Sequence, residues 1–152
     1  MVVEVHSAGE SDFKALCEIY RKEYGKHVED RVKSYLQYYH IKVLKENDKI
    51  IGALFWFVRE SPHHGLAEIE DFFIDKGYRR KGLGTQLLKS AIEDVKKHFE
   101  ALGCSARKII VLTSKENPIA RKCYEKQGFK FVAELGGLFK ENVIEVMYML
   151  SF

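Results

Sequence analysis

Residues 74–85 read IDKGYRRKGLGT. The stretch joins an apolar run, Leu66–Ile74, to a long segment in which Leu83, Leu87, Leu88, Ala91, Ile92, Val95, Phe99 and Leu102 recur at helical spacing. A strand that hands over to an amphipathic helix through a glycine turn commits the chain to a layered α/β architecture, because the helix must bury its apolar stripe against a sheet.

The flanking sequence extends this pattern. Val2–His6 predicts a short strand. Ser11-Asp12 offers an N-cap for a helix that runs to Gly25, and a weaker helix is expected over Val28–Tyr39. Ile41–Lys45 and Ile50–Arg59 read as strands around the turn Glu46-Asn47-Asp48, with Trp56 a core residue. Beyond the long helix, which stops near Gly103, Lys108–Leu112 predicts a buried strand. Asn117-Pro118 opens a helix that Gly128 closes, and Phe129–Ala133 and Val143–Leu150 predict two final strands. The order is β-α-α-β-β-β-α-β-α-β-β, which implies a mixed sheet with helices on both faces.

At 152 residues, with 2 Pro and no repeat or linker, residues 1–152 are expected to form a single domain. A net charge of +3 without a concentrated basic run argues against a dedicated nucleic-acid binder. The odd, widely spaced Cys17, Cys104 and Cys123 suggest buried apolar thiols rather than a disulfide framework or zinc site. His63-His64 lacks the spacing of a ligand pair, so no metal is expected. No basic, apolar leader opens the sequence and no run approaches a membrane span, so the expectation is a cytoplasmic protein without a membrane partner.

The glycine turn fails two familiar phosphate-loop patterns. Gly77 and Gly82 fit the glycines of a Walker loop, but Leu83 stands where its lysine belongs. Gly82-x-Gly84 starts a dinucleotide fingerprint, but Leu87 replaces the third glycine. What remains is an anion site built from unpaired amides at a helix start, glycines that leave the backbone open, and Arg79, Arg80 and Lys81 alongside. Glycines that merely make a tight turn are the competing reading.

Arg79-x-x-Gly82-x-Gly84 resembles the [QR]-x-x-G-x-[GA] motif of the GNAT superfamily of acetyl-CoA-dependent N-acetyltransferases. Asn117-x-x-Ala120-x-x-x-Tyr124-x-x-x-Gly128-Phe129, about 35 residues on, is similar to the helix these enzymes carry before their sixth strand. The resemblance implies the GNAT fold, a mixed and mostly antiparallel twisted sheet of six to seven strands with a splayed central parallel pair. It also implies acetyl-CoA as cosubstrate. By position, the backbone of Phe72, Phe73 and Ile74 would pair with the pantetheine arm. The amides of Arg79, Arg80, Lys81, Gly82, Leu83, Gly84 and Thr85 would wrap the pyrophosphate, and Asn117 and Tyr124 would line the thiol end.

Acetylation requires a neutral amine. With a pKa near 10.4, only about one part in two thousand is neutral at pH 7, a deficit of roughly 4–5 kcal/mol. Glu70 is the leading candidate to remove that proton and Glu68 the alternative, since strand alternation puts both on one face with Phe72. Simple attraction of a cationic substrate is the competing role for both acids. The resemblance makes Tyr124 the acid that reprotonates the leaving thiolate, against a reading as a core aromatic. Glu70-Asp71-Phe72-Phe73-Ile74 is similar to the same strand in spermidine/spermine and thialysine acetyltransferases. A small cationic amine, polyamine-like or lysine-like, is therefore the favoured acceptor. A protein N-terminus or lysine, or a catalytically silent acyl-CoA-binding module, are the alternatives. The tyrosines of the first two helices suit a cation or simple packing on the sheet. The resemblance also suggests a homodimer through the C-terminal strands.

Overall fold

The computed structural model describes residues 2–152. Its elements follow the expected order: β1 (Val3–Ser7), α1 (Phe13–Tyr24), α2 (Glu29–Tyr38), β2 (His40–Glu46), β3 (Lys49–Val58), β4 (Leu66–Ile74), α3 (Leu83–Ala101), β5 (Lys108–Ser114), α4 (Pro118–Lys126), β6 (Lys130–Gly136) and β7 (Ile144–Ser151). Three single-turn 3-10 helices, too short to leave a periodic signal, lie at Glu10–Asp12, Pro62–His64 and Lys76–Tyr78. The strands form one mixed sheet in the order β1-β2-β3-β4-β5-β7-β6. No helix is long and apolar enough to cross a membrane among the described residues.

The chain divides into two compact units, each assembled from two stretches of sequence. One runs up to Phe57 and includes Asp71–Glu93; the other is Val58–Glu70 with Asp94–Phe152. In the first unit β1, β2 and β3 pair antiparallel, with a bulge at Leu44/Lys45. Its core gathers Leu16, Tyr20, Val32, Val43, Phe55 and Phe73, all less than a tenth exposed. Each large apolar side chain buried this way contributes about 1.5–3 kcal/mol. Asp12, at the start of α1, accepts from the Gly9 amide (2.9 Å) and pairs with Lys45 Nζ (2.6 Å). Burial works to raise its pKa, but the Lys45 and Gly9 hydrogen bonds outweigh it and hold the carboxyl below its usual value.

In the second unit β5 sits between β4 and β7. β5, β7 and β6 pair antiparallel, so β7 is an internal strand and β6 an edge. The parallel β4–β5 ladder runs from Leu66↔Lys108 to Ile69↔Val111, four residues of a nine-residue strand. Cys17 is buried as expected, whereas Cys104 and Cys123 are half-buried. Cys104 lies beyond the end of α3, where Gly103 at φ 72° has already turned the chain.

The start of the β4–β5 ladder is fixed by Gly65. Its carbonyl accepts from the amides of Arg107 (2.8 Å) and Lys108 (3.0 Å). Its φ of 62° is left-handed, and a Cβ there would stand 2.3 Å from the Ser105 carbonyl oxygen. Backbone cannot yield as a side-chain tip can, so Gly65→Ala is expected to cost about 2–4 kcal/mol, read as a lower urea midpoint at unchanged slope.

Candidate active site

β4 carries the candidate chemistry because its two faces meet different surroundings. Ala67, Ile69 and Phe73 are buried on one face, and Asp71 shares their parity. In the first unit, Asp71 accepts hydrogen bonds from Tyr20 (2.5 Å) and Tyr24 (2.7 Å), one helical turn apart on α1. Burial, reinforced by the Asp71 charge, raises the pKa of both phenols, so they remain donors at neutral pH. Tyr20 also packs against Tyr24, Tyr35, Phe55 and Phe73, with ring centroids 5.1–5.9 Å apart. Asp71 is thus a pin between strand and helix. Of the α1–α2 tyrosines, Tyr20 and Tyr35 belong to the core, whereas Tyr24 and Tyr38 are exposed.

Glu68 and Glu70 occupy the other parity, in the second unit, and their environments differ. The Glu68 side chain is only 15% exposed and pairs with Arg59 Nη1 at 3.0 Å. The contact is a charge pairing without hydrogen-bond alignment, because Glu68 Oε2 is buried and has no hydrogen-bond partner of good geometry. Burial raises its pKa, the Arg59 charge opposes this, and the Glu70 charge adds to it; the balance lies above the ordinary glutamate value. Glu70 is exposed. One strand face therefore offers an exposed carboxyl group and a half-buried one whose pKa burial has raised.

In the first unit, the glycine turn follows β4 through the 3-10 turn Lys76–Tyr78. Arg80 (φ 63°) and Gly82 (φ 76°) both adopt the left-handed conformation, which turns the chain into α3. The Gly82 carbonyl accepts from Gln86 N (3.1 Å), so the amides of Leu83, Gly84 and Thr85 form the first helical turn, where no intrahelical acceptor exists. Beside Gly82 a Cβ would meet nothing within 4 Å, whereas at Gly84 it would touch Phe72 Cζ (3.6 Å) and Ile74 Cγ1 (3.8 Å). The helix start is thus seated on Phe72 and Ile74, with open space along its amides. Unpaired amides at the start of a long helix can hold an anion. Arg79 points elsewhere: Nε donates to the Ile74 carbonyl (2.7 Å) and Nη2 lies 3.4 Å from Glu23 Oε2. Its side chain braces β4 and α1, leaving its backbone to the turn.

In the second unit, Asn117 caps α4, its Oδ1 accepting from Ala120 N (3.2 Å). Tyr124 is 3% exposed and packs against Phe129 and Tyr148, at centroid distances of 5.5 and 6.3 Å. Arg121 Nε donates to the Tyr148 hydroxyl (3.1 Å), which donates to Glu125 (2.8 Å), and Arg121 Nη1 donates to the Lys115 carbonyl (3.0 Å). This network fixes α4 against β7. Sequence reasoning missed it along with the Arg59–Glu68 pair and the Asp71 pin; only the i, i+4 tyrosine spacing on α1 hinted at the last. Among the described residues, no group of three or more His, Cys, Asp or Glu is placed to hold a metal ion.

Two consequences are measurable. Tyr20→Phe removes a fully buried donor to a carboxylate and is expected to cost about 1–3 kcal/mol in urea unfolding, more than Tyr24→Phe at its half-exposed position. For Glu68, the folded state holds the proton more tightly than the unfolded chain does. Raising the pH through its folded-state pKa therefore penalises the native state. Glu68→Gln, which mimics the neutral acid, is expected to gain stability relative to wild type as the pH rises from 4 to 8, measured by thermal unfolding.

The Acetyltransferase (GNAT) family profile matches residues 13–129. A Bacillus subtilis subsp. natto (strain BEST195) protein named "Probable spermine N(1)-acetyltransferase" is 36% identical over 77 residues, 50% of this chain and 47% of that protein. The match thus spans about half the length of that curated relative. Among solved structures, an N-acetyltransferase from Staphylococcus aureus Mu50 superposes with a TM-score of 0.82 at 20% identity, covering 99% of both chains. The Salmonella typhimurium protein yncA, solved with its cofactor acetyl-CoA, gives a TM-score of 0.80 at 16% identity over 99% of this chain and 94% of that one. The glycine-turn and α4 motifs, the sheet order and the profile match agree: this chain belongs to the GNAT acetyltransferase family.

Proposed function

We propose that residues 1–152 act as one N-acetyltransferase domain that moves an acetyl group from acetyl-CoA to the primary amine of a small, cationic, polyamine-like acceptor. The observation that carries the reading is the helix start at Gly82–Thr85, seated on Phe72 and Ile74 at the end of β4. When bound, acetyl-CoA supplies an activated acyl thioester. The Arg79–Thr85 amides hold the pyrophosphate, the backbone of Phe72, Phe73 and Ile74 pairs with the pantetheine arm, and Asn117 and Tyr124 serve the thiol end. The exposed Glu70 takes the proton from the acceptor ammonium, directly or through water, and the half-buried Glu68 is the alternative site for that proton. Tyr124 returns a proton to the leaving thiolate. A main-chain amide of Phe72–Ile74 polarises the reacting carbonyl. The curated spermine acetyltransferase and the Glu70–Ile74 string support the choice of acceptor.

The test is thiol release from acetyl-CoA against polyamines, lysine analogues, aminoglycosides and peptides with free N-termini. Polyamines are expected to turn over. Glu70→Gln is expected to lower kcat by about 10²–10⁴-fold, with Tyr124→Phe and Glu68→Gln showing whether each has a separate share. Turnover confined to peptides would move the acceptor to proteins. Failure of acetyl-CoA to bind in calorimetry would overturn the proposal.

A further inference from the structure

We propose that Lys49, Tyr78 and Lys81, beside the glycine turn, form a binding site for a phosphate monoester, which in this protein is the 3′-phosphate of coenzyme A. The inference rests on the reading of acetyl-CoA as acyl donor. It goes beyond that reading by assigning recognition of the nucleotide end to side chains outside the motif's backbone, Lys49 being distant in sequence.

Tyr78 leaves the 3-10 turn that precedes Arg79, and its hydroxyl donates to the Glu46 carboxylate at the end of β2. That bond, with smaller contributions from desolvation and the Glu46 charge, raises the phenol's pKa and keeps it a donor. The anchored ring then gathers two cations. Lys49 Nζ, from the first residue of β3, lies 5.5 Å from its centroid, and Lys81 Nζ, from the turn itself, lies 5.6 Å from it. Neither ammonium has a carboxylate partner among the described residues, and the nearby Glu46 accepts from Tyr78. Two like charges held at one ring repel each other, and the cation–π contact offsets only about 0.5–1 kcal/mol at an exposed site. The arrangement suits a ligand with two negative charges.

The division of labour at the turn indicates which anion this is. A diphosphate diester is served by main-chain amides and the helix dipole, as at the start of α3. Of the two turn arginines, Arg79 is committed to Ile74 and Glu23, while the exposed Arg80 remains beside the amides to serve the diphosphate. Lys49 and Lys81 are therefore surplus to the diphosphate. A terminal phosphate monoester carries about −1.5 to −2 charges at pH 7, matching the pair. In coenzyme A the group that fits is the 3′-phosphate, whose removal leaves the pyrophosphate and pantetheine arm intact.

Calorimetric titration with coenzyme A and with 3′-dephospho-coenzyme A tests this without reference to turnover. Wild type is expected to bind coenzyme A about 10–100-fold more tightly than the dephospho form, the scale of one or two charge-assisted contacts. Lys49→Gln with Lys81→Gln is expected to weaken coenzyme A binding about tenfold or more beyond its effect on dephospho-coenzyme A, so that the preference is lost. Tyr78→Phe, which keeps the ring but frees it from Glu46, is expected to fall between. Equal loss for both ligands in the double variant would overturn the proposal, since the lysines would then serve the pyrophosphate or the fold. Wild type without a preference would overturn it as well. Binding of neither ligand would instead remove the acetyl-CoA reading, and this inference with it.

Discussion

The register of β4 is the constraint on which the site depends. Side chains alternate along a strand with a period of two, so a slip of one residue would put Asp71 where Glu70 stands and turn both glutamates into the core. Register is normally set by buried apolar side chains, and Ala67, Ile69 and Phe73 do part of that here. The polar contribution is Asp71, held by two phenols from α1. A displaced strand would leave those donors facing an apolar residue, with the desolvation cost of unsatisfied groups added to lost packing. Gly52 on β3 adds a steric condition. A Cβ there would lie 2.7 Å from Ile74 Cδ1 and 3.2 Å from the Phe73 carbonyl oxygen, so a larger residue would require the Ile74 side chain to move and the backbone to give by a few tenths of an ångström.

The chemistry follows from placing identical groups in different media. Glu68 and Glu70 have the same side chain, strand and face. Yet one is half-buried against a guanidinium, with a pKa that burial has raised, while the other stands in solvent. Arginines diverge in the same way: Arg79 is a brace, Arg80 a strained turn residue and Arg59 a counter-charge. Side-chain identity supplies the capacity for acid, base or ion pair, and local dielectric and neighbours select among them.

What was legible in the sequence was local. The seven strands and four helices, the glycine turn and the Asn-Pro opening of α4 follow from periodicity, capping and turn chemistry within a few residues. The faces of β4 were equally legible, including the separation of Asp71 from its acidic neighbours. What was not legible depends on which distant residue arrives as partner. Nothing in the sequence showed that the Arg79 side chain would brace Ile74 and Glu23, or that the Tyr148 hydroxyl would join Arg121 to Glu125. Tyr124 and Asn117 were placed by motif, and the fold adds that one is buried and the other caps its helix. Cys104 was expected to be buried and is half-buried, because it follows Gly103, which turns the chain away at the end of the helix.

The edge strand β6 bears on how the molecule behaves in a crowded solution. Phe131 and Val132 are about half exposed there, and an apolar sheet edge ordinarily templates the addition of another strand. The ladder to β7, however, passes from Phe131↔Tyr148 to Ala133↔Met147, leaving Val132 as an extra residue. Such a bulge breaks the even spacing of donors and acceptors that an incoming strand must match. The chain can thus carry apolar side chains at its margin without offering a regular backbone template, a form of protection against aggregation that no inventory of surface charge would reveal.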